Sequence, residues 1–161
     1  MPGIKQMPRV KTLAEAVSRY GLITGGSWPN ESLWLDVFKV DDCISKNWIN
    51  SATGKPTTKI YCNKDMHLPL SIALLKVQQA GLLSELKTFD GAFCIREVRG
   101  RPGAQSAHSY GLAIDINAST NKLGEQGSLS QAFGQCFIDA GFSWGARFKR
   151  PDFMHFSFCW E

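Results

Sequence analysis

An α+β fold is predicted for this chain, with flanking helices over a small antiparallel sheet. Helical periodicity dominates the first half, and strand-like apolar runs cluster in the second rather than alternating with helices. The 161 residues are 43% hydrophobic and 20% charged, a profile that lets one compact domain, 1–161, bury a core and that excludes disorder and collagen-like repeats. No internal repeat, low-complexity tract or long linker interrupts it.

The first element is a short helix from Thr12. Thr12 and Glu15 form a capping box, Leu13, Ala16 and Val17 recur at helical spacing, and Gly21 is the stop. Gly25, Gly26, Pro29 and Asn30 mark a turn before Leu33–Val40, whose β-branched and aromatic content reads as a strand or an irregular apolar segment. Residues 45–65, with Asn47, Asn50, Ser51, Gly54 and Pro56, read as a polar surface excursion. A second helix follows with Pro69 in its first turn, Leu70, Ala73, Leu74 and Val77 on one face, and Gly81 at its end. Ala92–Val98 and Leu112–Ile116 read as sheet strands. Leu129, Phe133, Cys136, Phe137 and Ala140 share one face of a third helix that stops at Gly141, and Phe142–Trp144 and Met154–Phe158 are short terminal strands.

The formal charge of +4 is too mild and too scattered for a nucleic-acid stripe. The denser basic groups, Arg96, Arg99, Arg101 and Arg147, Lys149, Arg150, suit an anionic small molecule or polymer better. The longest apolar stretch, Leu68–Leu75, is broken by Pro69 and Ser71, so no membrane insertion is expected. The N-terminus, Met1 to Gln6, has no apolar h-region or small-residue cleavage site, which predicts synthesis in a cytoplasm without a secretory leader. Five cysteines, Cys43, Cys62, Cys94, Cys136 and Cys159, form no Cys-x-x-Cys pair and read as reduced, mostly buried hydrophobes, Cys94 as strand core. Trp28, Trp34 and Trp48 read as core by default, with a substrate groove as the alternative.

Chemistry concentrates at two of the three histidines. In Ser106–Asp115, His108 precedes a glycine turn, and Asp115 falls in the apolar run after it, where an unpaired carboxylate is costly. Alternation puts Ala113 on the same face as Asp115, leaving room for an ion or a water. Asp152 precedes His155 by three residues. Two imidazoles and one carboxylate make a three-ligand zinc set with a fourth position open, and Asp152 is then the spare carboxylate. The bland alternatives are a turn histidine for His108, a strand-end cap for Asp115, a turn residue for Asp152 and a core ring for His155. His67 has no partner in sequence and reads as a surface residue.

Ser106-x-His108-x-x-Gly111-x-Ala113-x-Asp115 with Asp152-x-x-His155-Phe156 resembles the VanY-type D-Ala-D-Ala metallopeptidases and the L-alanyl-D-glutamate endopeptidases of bacteriophage lysis. The likeness extends through Phe89–Arg96, Arg99-Gly100 and Gly141–Gly145 and covers residues 65–161, the metallopeptidase core. It assigns no role to residues 1–60. The resemblance implies the zinc-bearing sheet of the hedgehog and D-Ala-D-Ala peptidase type, Zn2+ ligands at His108, Asp115 and His155, and Asp152 as catalytic base where many relatives have Glu. Arg96 is the positional match for the oxyanion-binding arginine, with Arg99 as rival. Ser106 is expected to hydrogen-bond around the site rather than react.

The implied function is hydrolysis of the peptidoglycan stem peptide by a monomeric phage endolysin cutting between L-Ala and D-Glu. It would be made in the host bacterial cytoplasm and reach the wall after release. The alternatives are a D-Ala-D-Ala carboxypeptidase and a non-catalytic zinc-containing binding module like the hedgehog signalling domains. An iron oxygenase is a further rival, disfavoured by the seven-residue step from His108 to Asp115.

Overall fold

The apolar run predicted around Ile114 is β5, Ala113–Ile116, the central strand of a five-stranded sheet. The computed structural model describes residues 8–161; Met1 to Gln6, on which the leader reading rests, lie outside them. In chain order the elements are α1 (Leu13–Tyr20), α2 (Glu31–Trp34), β1 (Leu35–Lys39), α3 (Asp42–Ser45), β2 (Ile49–Asn50), β3 (Lys59–Asn63), α4 (Lys64–Gln79), β4 (Thr88–Gly91), β5, α5 (Gln131–Asp139), β6 (Ser143–Trp144) and β7 (His155–Ser157). The sheet runs β2-β4-β5-β7-β6, and β1 pairs with β3 in a separate hairpin-like ribbon. The class is α+β, as predicted.

Three expectations are corrected. The sheet is mixed, not antiparallel, because β2 pairs with β4 in parallel. A parallel neighbour needs a long crossover, and β3 with α4 supplies it. Of residues 45–65 only the turn at 51–56 is a surface excursion. Trp48, Ile60 and Cys62 are fully buried, and polar turn residues had masked two strands too short to show periodicity. The strand expected at Ala92–Val98 lies earlier, at Thr88–Gly91: the ladder shifts register between Phe89 and Gly91, and the chain then leaves β5 to run beside the His108 turn.

Smaller shifts have local causes. Most of Leu33–Val40 is strand, but its first residues close the short helix α2. The helix expected to begin at Pro69 begins at Lys64, because the Asn63 side chain accepts the Asp65 N–H at 2.9 Å and caps it earlier. Pro69 sits inside and forgoes one helical hydrogen bond. α1 is capped by Thr12, as predicted, and α5 by Ser130, whose own N–H and hydroxyl both donate to the Glu85 carboxylate at 2.8 Å.

The core divides in two. One cluster packs α4 and α5 on the sheet through Leu70, Leu74, Phe133, Phe137, Ile114 and Phe156. The other joins the N-terminal segment to the far side of the His108 turn: Ala16, Tyr20 and Trp28 meet Tyr110, Leu112 and Cys159. Trp28 and Trp48 are core, and Trp34 is half-buried, edge-on to Tyr20. Cys62, Cys136 and Cys159 are buried, whereas Cys43 and Cys94 are exposed, so Cys94 is not strand core.

Arg9 ties the N-terminal segment to the end of the chain, donating to Gly141 O, Ser143 Oγ and Cys159 O at 2.8, 2.8 and 2.6 Å. Arg9→Ala leaves two carbonyls and a hydroxyl without that donor and is expected to lower stability by about 1–3 kcal/mol in urea denaturation.

Candidate metal centre and active-site cleft

Strand register builds the first half of the site. β5 and β7 pair antiparallel with Asp115 directly opposite His155, so both side chains leave the same face of the sheet. On the other face of β7, Phe156 is buried against Phe137 and Trp144 and holds that strand down on the core. Ala113, two residues before Asp115, is buried in the second core cluster.

His108 arrives on a helical turn, Ala107–Tyr110. Ser106 caps it, its hydroxyl accepting the His108 N–H at 3.3 Å, which gives Ser106 the supporting role expected. Gly111 ends the turn at φ 65°, where a β-carbon would strike Leu35 and the Asn63 backbone. Asn63 grips the same turn, donating from Nδ2 to Tyr110 O at 3.0 Å and from its N–H to Gly111 O at 2.9 Å.

Ligand-type atoms of His108, Asp115 and His155 converge within 4.8 Å of one another. A carbonyl oxygen can only accept, so the contact from His108 Nδ1 to Ala92 O at 2.7 Å fixes a proton on Nδ1. In the neutral ring Nε2 is then a lone pair. It is buried, has no hydrogen-bond partner, and stands 3.2 Å from Asp115 Oδ2. Two such atoms at that separation need a positive charge between them, a second proton on the His108 ring or a metal ion. The donor set, two imidazoles and a carboxylate, is one that zinc takes, so the residues present fit the ion.

His155 faces two acids. Nδ1 lies 3.3 Å from Asp115 Oδ1, and Nε2 lies 2.5 Å from Glu161 Oε2, while the other Glu161 oxygen accepts the Ala107 N–H at 3.3 Å. Glu161 thus orients the ring so that Nδ1 is the nitrogen turned toward Asp115 and His108, the carboxylate–histidine arrangement typical of metal sites. Sequence reasoning missed Glu161. Its available signal was a single acid after the apolar run Phe156–Trp160, six residues beyond His155.

Burial raises the Asp115 carboxyl, but the two imidazoles overcome that and hold it well below the usual carboxylate range. Burial likewise lowers the His155 imidazole, yet its hydrogen bonds to Asp115 and Glu161 and their charges prevail and raise it to about 10. Glu161 is raised by burial and lowered more by its bond to His155. Asp152 shifts the other way: burial, with Asp115 and Glu161 adding to it against the two histidines, raises it.

Asp152 and Met154 sit on the loop into β7, within a cleft of about 600 Å³ that Asp115, His155 and Glu161 also line. Gly145 brings that loop close: its carbonyl accepts the Asp152 N–H at 2.8 Å, and a β-carbon there would collide with the Asp152 carbonyl. Asp152 Oδ1 is buried with no hydrogen-bond partner. Arg96 and Arg99 both line the cleft, so position alone does not separate them. Arg96 is the more firmly anchored, its N–H donating to Ser109 Oγ at 2.9 Å and its carbonyl accepting from the same hydroxyl at 2.7 Å. His67 is elsewhere, on α4, edge-on to Phe38 and 3.2 Å from Asp36 O; it is half-buried rather than a free surface residue.

The sheet presents Asp115 and His155, the adjoining turn presents His108, and a spare carboxylate, Asp152, lies in the neighbouring cleft: the donor and base set that a metallopeptidase uses. Residues 99–158 match the family model described as D-alanyl-D-alanine carboxypeptidase, so this segment of the chain is similar to that family. His108, Asp115, Asp152 and His155 lie inside the match; Arg96 and Glu161 lie outside it. No curated protein and no solved structure matches the chain.

In metal-free protein His155 is expected to keep its second ring proton well above neutral pH, read as a histidine titration by NMR. Its folded pKa exceeds the unfolded ~6.5, so the stabilisation it gives is complete below that pH and is lost as pH rises toward about 10. Glu161→Ala removes one of the two anions and is expected to move the titration down.

Proposed function

We propose that this peptidase cleaves the stem peptide of bacterial peptidoglycan between L-Ala and D-Glu, as a phage endolysin acting as a monomer. In this reading it is made in the host cytoplasm and meets the wall after release. His108, Asp115 and His155 are the zinc ligands, through Nε2, a carboxylate oxygen and Nδ1. The observation that carries the reading is the buried His108 Nε2, without a hydrogen bond and 3.2 Å from Asp115 Oδ2, with the buried, unbonded Asp152 Oδ1 in the adjoining cleft.

When bound, zinc supplies Lewis acidity to the reacting centre. The chain supplies the proton transfers and the charge. Asp152 takes the proton of the attacking water and returns it to the leaving amine; its raised pKa makes it a stronger base than an exposed carboxylate while leaving it able to give the proton back. Arg96 stabilises the developing oxyanion with a charge that stays on throughout. Asp115 and Glu161 hold the His155 ring, and Ala92 O holds that of His108, so the reacting groups need little reorganisation.

A D-Ala-D-Ala carboxypeptidase is the second reading, favoured by the description of the matched family. The products decide between them. Purified peptidoglycan digested by the zinc-loaded protein is expected to expose new D-Glu amino termini, whereas release of free D-Ala supports the carboxypeptidase. Asp152→Ala is expected to keep stoichiometric zinc and lose about 10²–10⁴-fold in rate. A zinc-loaded wild type that cuts nothing sinks the peptidase and leaves a binding module.

A further inference from the structure

We propose that Arg99, Arg101 and Arg150 form a carboxylate-binding subsite beside the metal centre, one that selects acidic stem peptides with free carboxylates over the same peptides in carboxamide form. This rests on the reading of the cleft as the peptide-cleaving site and concerns what that site prefers.

All three arginines line the cleft, and two separate stretches of chain bring them there. Arg99 and Arg101 occupy the tip of a narrow loop whose sides are closed by the Glu97–Gln105 bridge and by bonds from Val98 N to Ala104 O and from Arg101 N to Val98 O, at 2.8 and 3.0 Å. Gly100 and Gly103 turn that tip at φ 78° and 83°. Arg150 comes from the stretch before β7, where Pro151 O accepts the Gly124 N–H and fixes the adjoining backbone.

None of the three guanidiniums has a hydrogen bond or ion pair within the described residues. The acids that share the cleft do not answer them. Asp115 lies between His108 and His155, Glu161 is bound to His155, and Asp152 is the base. The three guanidiniums are exposed, so water screens their charges, and no acid among the described residues pairs with them. A ligand carboxylate can, and guanidinium meets carboxylate in a two-pronged, charge-assisted geometry that a carboxamide, being neutral and itself half donor, cannot reproduce. The cleft volume of about 600 Å³ admits a ligand larger than the reacting bond alone. Arg147, by contrast, lies outside this cleft and bonds to Gln135.

The test uses two synthetic stem peptides that differ only in whether the carboxyl groups on the residues after the scissile bond are free or amidated. The zinc-loaded wild type is expected to favour the free form by roughly tenfold or more in kcat/KM. The same preference should appear calorimetrically, as binding to zinc-loaded Asp152→Ala. In the triple variant Arg99→Gln, Arg101→Gln, Arg150→Gln the ratio between peptides should fall toward one, and in Arg147→Gln it should persist. A wild-type ratio near one, or a ratio that survives the triple variant, overturns the subsite. Discrimination in binding with no cleavage of either peptide overturns the peptidase reading and leaves the subsite standing; cleavage of both at equal rates does the reverse.

Discussion

The rest of the site depends on the pairing of β5 with β7 in the one register that sets Asp115 opposite His155. Side chains on a strand alternate faces, so a slip of β7 by a single residue would turn His155 into the core, away from Asp115, and bring Phe156 to the surface. The core resists that slip. Phe156 lies among Phe133, Phe137 and Trp144, and Ile114 and Ile116 are fully buried on the strand beside it. Apolar packing on one face of two short strands therefore fixes the chemistry on the other.

The third ligand needs its own support, because a helical turn of four residues has little stability of its own. Most of that support comes from residues 1–60, the part of the chain that sequence left without a role. Tyr110 donates to Gly21 O at 2.9 Å, its ring meets Trp28 edge-on, and Asn63 holds the turn from the side. Leu13 reaches the cleft itself. The N-terminal third is thus the backing of the His108 turn, and its contribution to function is positional.

How much of this was legible in the sequence followed from how local each signal was. A carboxylate in an apolar strand announces a buried partner, and Asp115 has two. Ser106, Gly111 and the Asp152-x-x-His155 step act over a few residues: Ser106 caps the His108 turn, Gly111 ends it, and Asp152 lies beside His155 in the cleft. The helix caps at Thr12 and the stop at Gly141 were equally local. What failed was non-local or too short. β2 is two residues long and is held by a parallel neighbour almost forty residues on, so no periodicity could show it. Pro69 suggested a helix start because its missing donor suits a first turn, yet the Asn63 cap six residues earlier prevailed. Glu161 has no spacing that ties it to His155; only the folded chain brings it there.

The three ligand-type side chains are seven and then forty residues apart, and the second gap is spanned by α5 and β6. Small zinc-folded domains keep their ligands within a few residues, so the ion can gather an unfolded chain around itself. Here the ends of a long loop must already have met before a coordination sphere exists, and the energy for that comes from aromatic packing. Until an ion arrives, the second proton on His155 serves as its placeholder between the carboxylates. A metal at this site would therefore complete a framework that packing has already built, rather than gather the unfolded chain around itself.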